Sequence, residues 1–155
     1  MEYLKKYEDL QFLWQTGSKD FEKIKDFMKS INLTSTVLPF IQDMASAYAV
    51  SDLLVCRAGA LTLAEVTACG KPVILIPYPF ATADHQRYNA LSLKEKGAAE
   101  VILEKELKGE NLAELIVELI KDENRLKEMS DNSKMLAKPL ATSQIVDEMV
   151  EFLNR

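Results

Sequence analysis

The sequence predicts a doubly wound α/β fold on a mostly parallel, Rossmann-like sheet, and three observations predict it. Short apolar runs with strand character, "QFLWQTG", "STVLPF", "DLLVC", "VILIPYP" and "AAEVIL", recur up to about residue 104. Segments of helical spacing, about ten to fifteen residues long, separate them, as in parallel βαβ units with right-handed crossovers. The run "DLLVC" stays apolar for four residues instead of alternating, which suits a strand covered on both faces.

Each element follows in order. "MEYLKKYEDL" reads as the end of an amphipathic helix, and "QFLWQTG" as a strand closed by Gly17. Ser18 is placed to cap the next segment, where Phe21, Ile24, Phe27 and Met28 recur at helical spacing to about Ser30. "STVLPF" is a strand with Pro39 at its exit. Asp43 caps an alanine-rich helix of two turns in "DMASAYAVS", and "DLLVC" follows. A helix from about Ala60 to Cys69 stops at Gly70, Pro72 leads into "VILIPYP", and residues 84–97 form a helix ended by Gly97 before "AAEVIL". From Lys108 the pattern is wholly helical. Leu112, Leu115, Ile116, Leu119 and Ile120 share one face, Leu126, Met129, Met135 and Leu136 follow, Pro139 interrupts, and "TSQIVDEMVEFLNR" is a last amphipathic helix. One domain is expected over residues 1–155: a helix end at 1–10, an α/β core at 11–104 and C-terminal helices at 105–155.

Composition excludes several function classes. Hydrophobic residues at 48% and charged residues at 28% are ordinary for a globular chain and too apolar for a disordered one. A formal net charge of −5 argues against nucleic acid as a partner, since binding the phosphate backbone needs a surplus of Lys and Arg. No apolar stretch approaches the ~20 residues that span a bilayer, and no signal-like segment opens the chain, so a cytoplasmic location is expected. Cys56 and Cys69, with a single His in the chain, support neither a zinc site nor a disulfide framework and are expected as buried free thiols. A dinucleotide enzyme lacks its G-x-G-x-x-G after a strand.

In a doubly wound sheet ligands bind beyond the carboxyl ends of the strands, and three loops meet that condition. After Cys56 come Arg57, Ala58 and Gly59, then a helix beginning near Ala60 with Leu61 and Thr62 in its first turn and Glu65 one turn on. Such a helix N-terminus offers unpaired N–H groups and partial positive charge to a phosphate or diphosphate. The alternative is a T-x-x-E capping box, in which Thr62 and Glu65 bond each other's backbone N–H groups, worth ~1 kcal/mol. In "PYPFATADHQRYNA", His85 and Gln86 carry both donors and acceptors, which suits sugar hydroxyls; Asp84 as an N-cap and His85 as a surface residue is the plainer alternative. In "LPFIQDM", Pro39 disfavours helix at Leu38, and the backbone of Phe40 and Ile41 could read the edge of a planar base.

The segments "FIQDMASAYAVSD", "CRAGALTLAE", "GKPVILIPYP" and "HQRYNA", in this order and spacing, resemble the donor-binding half of the MurG family of N-acetylglucosaminyltransferases. That family makes lipid II in peptidoglycan synthesis. The resemblance runs from about Phe12 to the C-terminus. It implies a GT-B glycosyltransferase whose C-terminal domain holds UDP-N-acetylglucosamine, with no cofactor and no metal. The backbone of Ile41, beside Phe40, would read uracil, and Glu65 would accept the ribose hydroxyls. Ala60, Leu61 and Thr62 would meet the diphosphate and sugar, His85 and Gln86 the hydroxyls of N-acetylglucosamine, and Arg57 matches the family pattern as a donor-site or loop-bracing residue.

The resemblance also implies what this chain does not carry. A first strand with a Gly-rich phosphate loop, and an N-terminal domain with the lipid I site, the membrane-facing surface and the general base, are expected outside it. Alone it is expected to be inactive, although Asp84 and His85 are nearby groups of the right chemistry for a base. A full-length member is expected at the cytoplasmic face of the bacterial inner membrane as a peripheral protein. A sheet that has lost an edge strand exposes unpaired backbone, so a homodimer through that edge is a further expectation. Two rival readings are a stand-alone donor subunit that needs a separate acceptor-side chain, and a non-catalytic nucleotide-binding domain.

Overall fold

The structure, a computed structural model, describes residues 2–31 and 33–154. A 3-10 turn at Glu2–Leu4 precedes β1 (Phe12–Gln15), α1 (Gly17–Ser30), β2 (Ser35–Leu38), α2 (Met44–Val50), β3 (Leu54–Cys56), α3 (Ala60–Ala68) and β4 (Val73–Leu75). A 3-10 turn at Thr82–Asp84 opens α4 (His85–Glu95), and β5 (Ala99–Val101) follows. After a last 3-10 turn at Glu104–Glu106 come α5 (Gly109–Lys121), α6 (Glu123–Met135) and α7 (Ala141–Leu153). The alternation expected from the apolar runs is therefore present, and every strand pair is parallel.

The ladders fall into two sheets, β1-β2 and β3-β4-β5. Phe12 pairs with Ser35 and Gln15 with Leu38; Leu54 pairs with Val73, and Val73 with Ala99. No ladder joins β1 to β3 among the described residues, so each of these strands has one side without a strand partner.

That topology also corrects the reading of "DLLVC" as a strand covered on both faces. Leu54 and Cys56 pack under α2, α3 and α4, while Val55 is 43% exposed. The strand that does fit the description is β4, whose Val73, Ile74 and Leu75 are all fully buried. Val73 and Leu75 join Tyr48, Leu63, Val66 and Ala90 in one cluster; Ile74 points the other way to Ile102, Leu119 and Met129. A third cluster, Leu4, Met28, Ile31, Leu33 and Ala113, holds the first sheet to α1 and α5.

Several local expectations change. The opening segment is not the end of a helix: Tyr7 donates to the Leu4 carbonyl at 3.0 Å and Leu10 to the Tyr7 carbonyl at 3.3 Å. Its apolar residues thus recur every three residues in successive tight turns. α1 begins at Gly17, whose φ of +73° suits glycine, so Ser18 lies in the first turn and not at the cap. Asp43 caps α2 as expected, accepting the Ser46 N–H at 3.0 Å, and that bond with the one from the Ser46 hydroxyl lowers its pKa. Cys56 is half-buried, and burial pushes its thiol up to about 11, but Cys69 is exposed. No described helix is long and apolar enough to cross a membrane.

Two outcomes follow. Leu119 is fully buried where α5 meets β4 and α6, so Leu119→Ala should cost about 2–5 kcal/mol, read as a lower urea midpoint at unchanged slope. Burial would raise the pKa of Glu100, but hydrogen bonds from Lys94 at 3.2 Å and Arg125 at 2.6 Å outweigh it and hold the carboxyl below the usual range. Because the folded pKa is the lower one, this stabilisation is full above the ordinary Glu value of ~4.3 and fades as pH falls through the folded value. Glu100→Gln should flatten the pH dependence of stability below about pH 4 in acid titrations followed by circular dichroism.

Candidate functional site

The site residues expected from the sequence fall on loops leaving the carboxyl ends of strands or on the first turns of the helices that follow, except Glu65, which lies in the second turn of α3. At the centre is the passage from β3 to α3. Gly59 is the N-cap of α3, with no side-chain cap, so the helix starts at Ala60 and Thr62 lies in its first turn. The capping-box alternative is thereby excluded, and the Glu65 carboxylate accepts elsewhere: the Tyr48 hydroxyl donates to Glu65 Oε2 at 2.9 Å. The backbone N–H groups of Ala60, Leu61 and Thr62 have no partner among the described residues. Gly59 itself has φ −67° and ψ 144°, open to any residue, and an added Cβ would sit 3.7 Å from Thr62 Oγ1. Its value lies in leaving the approach to those N–H groups clear.

Three side chains tie this passage to its neighbours. Arg57 donates to the Ile76 carbonyl at 3.2 Å, forms an ion pair with Glu104, and lies 5.7 Å from the Tyr78 ring centre. The carboxyl ends of β3, β4 and β5 are thus fastened by one guanidinium. Arg57 acts here as a brace. Asn89 on α4 donates to the Ala58 carbonyl at 3.1 Å, and Gln86 Oε1 accepts the Tyr78 N–H at 3.0 Å. Gln86 keeps its amide N–H groups as donors.

The loop before α4 is strained. Ala83 (φ 50°) and Asp84 (φ 54°) are consecutive non-glycine residues in the left-handed region, each costing about 1–2 kcal/mol. Asp84 is therefore not an ordinary side-chain cap; its carboxylate instead faces Arg87 at 3.4 Å. His85 is exposed, and its Nδ1 lies 2.7 Å from the Thr82 carbonyl. A carbonyl can only accept, so Nδ1 carries the proton, and Nε2 has no protein partner among the described residues.

Phe40 and Ile41 lie at the end of the other sheet. Phe40 is exposed, the Ile41 N–H donates to Gln15 Oε1 at 2.8 Å, and the Ile41 carbonyl has no partner among the described residues. No hydrogen bond or ion pair joins this loop to the α3 group among the described residues; α2, which follows it, makes the connection through Tyr48. Two surface depressions border none of these loops: one runs along α7 by Ile145, Met149 and Phe152, the other between Tyr7, Leu10 and α5. Sequence reasoning missed Gln15, Tyr48, Asn89 and Glu104. Asn89 lies within "HQRYNA", and Tyr48 is the one large polar side chain among the alanines of α2, a usable signal.

Residues 2–145 match the glycosyltransferase family 28 C-terminal domain. A transferase of Geobacter sulfurreducens, described as UDP-N-acetylglucosamine–N-acetylmuramyl-(pentapeptide) pyrophosphoryl-undecaprenol N-acetylglucosamine transferase, is 52% identical over 91% of this chain and 39% of its own length. A transferase of the same description from Geotalea uraniireducens is 48% identical over 92% of this chain and 39% of its own. The crystal structure of Acinetobacter baumannii MurG superposes with a TM-score of 0.88 at 37% identity, over 97% of this chain and 44% of that one. The chain thus spans about two-fifths of the length of the curated relatives it matches.

If Gln86 pins the β4–α4 loop, Gln86→Ala should speed amide exchange at Tyr78 by up to about tenfold while the β4 amides stay protected. An unchanged Tyr78 rate would show that the loop is held by other means.

Proposed function

The chain belongs to the glycosyltransferase family 28 C-terminal domain family, and on that premise we propose that its strand-end loops bind UDP-N-acetylglucosamine. In this reading it is the donor half of an inverting transferase that passes N-acetylglucosamine to a polyprenyl-diphosphate muramoyl-pentapeptide, the chemistry in the name of its Geobacter relative. The observation that carries the reading is the start of α3 at Ala60. It leaves the N–H groups of Ala60, Leu61 and Thr62 without a partner among the described residues, behind a glycine and with the Glu65 carboxylate one turn on.

Each role follows from chemistry. The unpaired N–H groups and the positive end of α3 suit a diphosphate, and they gain strength as negative charge builds on departing UDP. Glu65 accepts hydrogen bonds from the ribose hydroxyls. The free carbonyl of Ile41 matches the N3–H of uracil, with Phe40 beside it. Gln86 amide donors and His85 Nε2 meet the sugar hydroxyls. Inversion also needs a base on the acceptor hydroxyl, and that group belongs to the acceptor side of the full transferase, which acts at the cytoplasmic face of the membrane.

A second reading, a donor subunit that works with a separate acceptor-side chain, draws on α7. None of its residues is buried, and Ile145, Met149 and Phe152 are exposed. Both readings share the donor site.

Thermal unfolding with UDP-N-acetylglucosamine, UDP, ADP and GDP tests that site. Uridine ligands at 100 times the dissociation constant should add about 2.7 kcal/mol, and Glu65→Ala should abolish the shift without lowering the unliganded midpoint by more than a few degrees. Equal stabilisation by ADP and GDP would favour a non-selective nucleotide-binding domain and refute the proposal.

A further inference from the structure

Among the described residues Glu65 has one side-chain partner, and that partner comes from the core. Tyr48 is 7% exposed and packs with Ala58, Leu63, Val66 and Leu75, so its ring is fixed by the cluster beneath α2 and α3. Its hydroxyl reaches out of that cluster to Glu65 Oε2 at 2.9 Å. No other hydrogen bond or ion pair reaches this carboxylate among the described residues. Ionised, it has roughly four acceptor sites, and Tyr48 takes one.

The helices carrying the pair are held in register at a second point. Lys71, just past α3, donates to the Ala49 carbonyl at 3.2 Å and the Ser51 carbonyl at 2.8 Å, at the end of α2. The far end of α3 is tied down as well, since Ser130 on α6 donates to the Gly70 carbonyl at 2.7 Å. The donor is therefore a rigid ring on a fixed helix, and the acceptor a side chain with three rotatable bonds on another. A hydrogen bond between them removes rotamer freedom from Glu65 before any ligand arrives. Desolvation, and then the Glu65 carboxylate itself, keep the phenol protonated far above its ordinary range, so it remains a donor at any working pH.

We infer that Tyr48 is a positioning residue that aims the Glu65 carboxylate at a ligand's vicinal diol, and that it thereby sets the preference for ribose over sugars lacking those hydroxyls. The inference rests on the donor-site reading above and extends it to a residue which touches no ligand. With one oxygen anchored, the remaining lone pairs are pre-aimed to accept two neighbouring O–H donors. Without the anchor Glu65 must be ordered by the ligand itself, and that cost falls on diol recognition alone. A tyrosine that merely filled the core would leave recognition untouched when its hydroxyl is removed.

The test is a two-by-two calorimetric comparison of the chain and Tyr48→Phe, each titrated with UDP and with 2′,3′-dideoxyuridine diphosphate. Phenylalanine keeps the ring and its packing, so thermal unfolding without ligand serves as the check on the fold. The wild-type chain should prefer UDP, and Tyr48→Phe should lose about fivefold or more of that preference while binding the dideoxy ligand as before. Tyr48→Phe retaining the full preference would overturn the inference and leave the donor site standing. A wild-type chain that binds both ligands equally, or neither, would instead bring down the donor-site reading and this inference with it. Equal weakening toward both ligands would assign Tyr48 a structural role only and likewise overturn the inference.

Discussion

The candidate site depends on one constraint, the burial of β4 on both faces and along both edges. Val73 and Leu75 enter the cluster under α3 and α4, Ile74 the cluster under α5 and α6, and parallel ladders run to β3 and β5. A strand enclosed in this way has no freedom of register, since a slip by one residue would exchange its two faces. Its neighbours run parallel, so their carboxyl ends finish at one level. That alignment lets a single Arg57 reach the Ile76 carbonyl and Glu104 beyond β5 together. The first sheet is attached less directly, through the cluster shared by α1 and α5. Phe40 and Ile41 accordingly stand apart from the α3 loops in the bonding pattern, with α2 as the link.

Much of this was legible in the sequence. Apolar runs punctuated by Gly17, Gly70 and Gly97 gave five strands and their helices, because each glycine occupies a positive-φ position that ends or starts an element. The loop after β3 was marked by its glycine and those after β2 and β4 by prolines at the strand exits, and all three were singled out by lying at the carboxyl ends of strands. Long-range partners were not legible. On spacing alone Glu65 read slightly better as half of a capping box, and the start of α3 at Ala60 together with the bond from Tyr48, seventeen residues earlier, decides against that reading. Val55 looked interior because its neighbours are apolar, yet sheet order decides its exposure. The left-handed pair Ala83 and Asp84 carries no glycine to mark it.

The chain is acidic overall, with a net charge of −5, yet the proposed ligand carries a diphosphate. Local fields resolve the conflict. Arg57 is neutralised by Glu104, so the attraction falls to the backbone N–H groups that open α3, which depend on no side-chain titration. Such a site holds its strength over a wide pH range.

Amide hydrogen exchange across the whole chain, with and without saturating UDP-N-acetylglucosamine, tests the central claim most directly. The account predicts added protection in residues 39–42, 57–62 and 78–86, with the rest of the chain unchanged. Protection confined to α7 or to the depression beside Tyr7, or no protection at saturation, would contradict it.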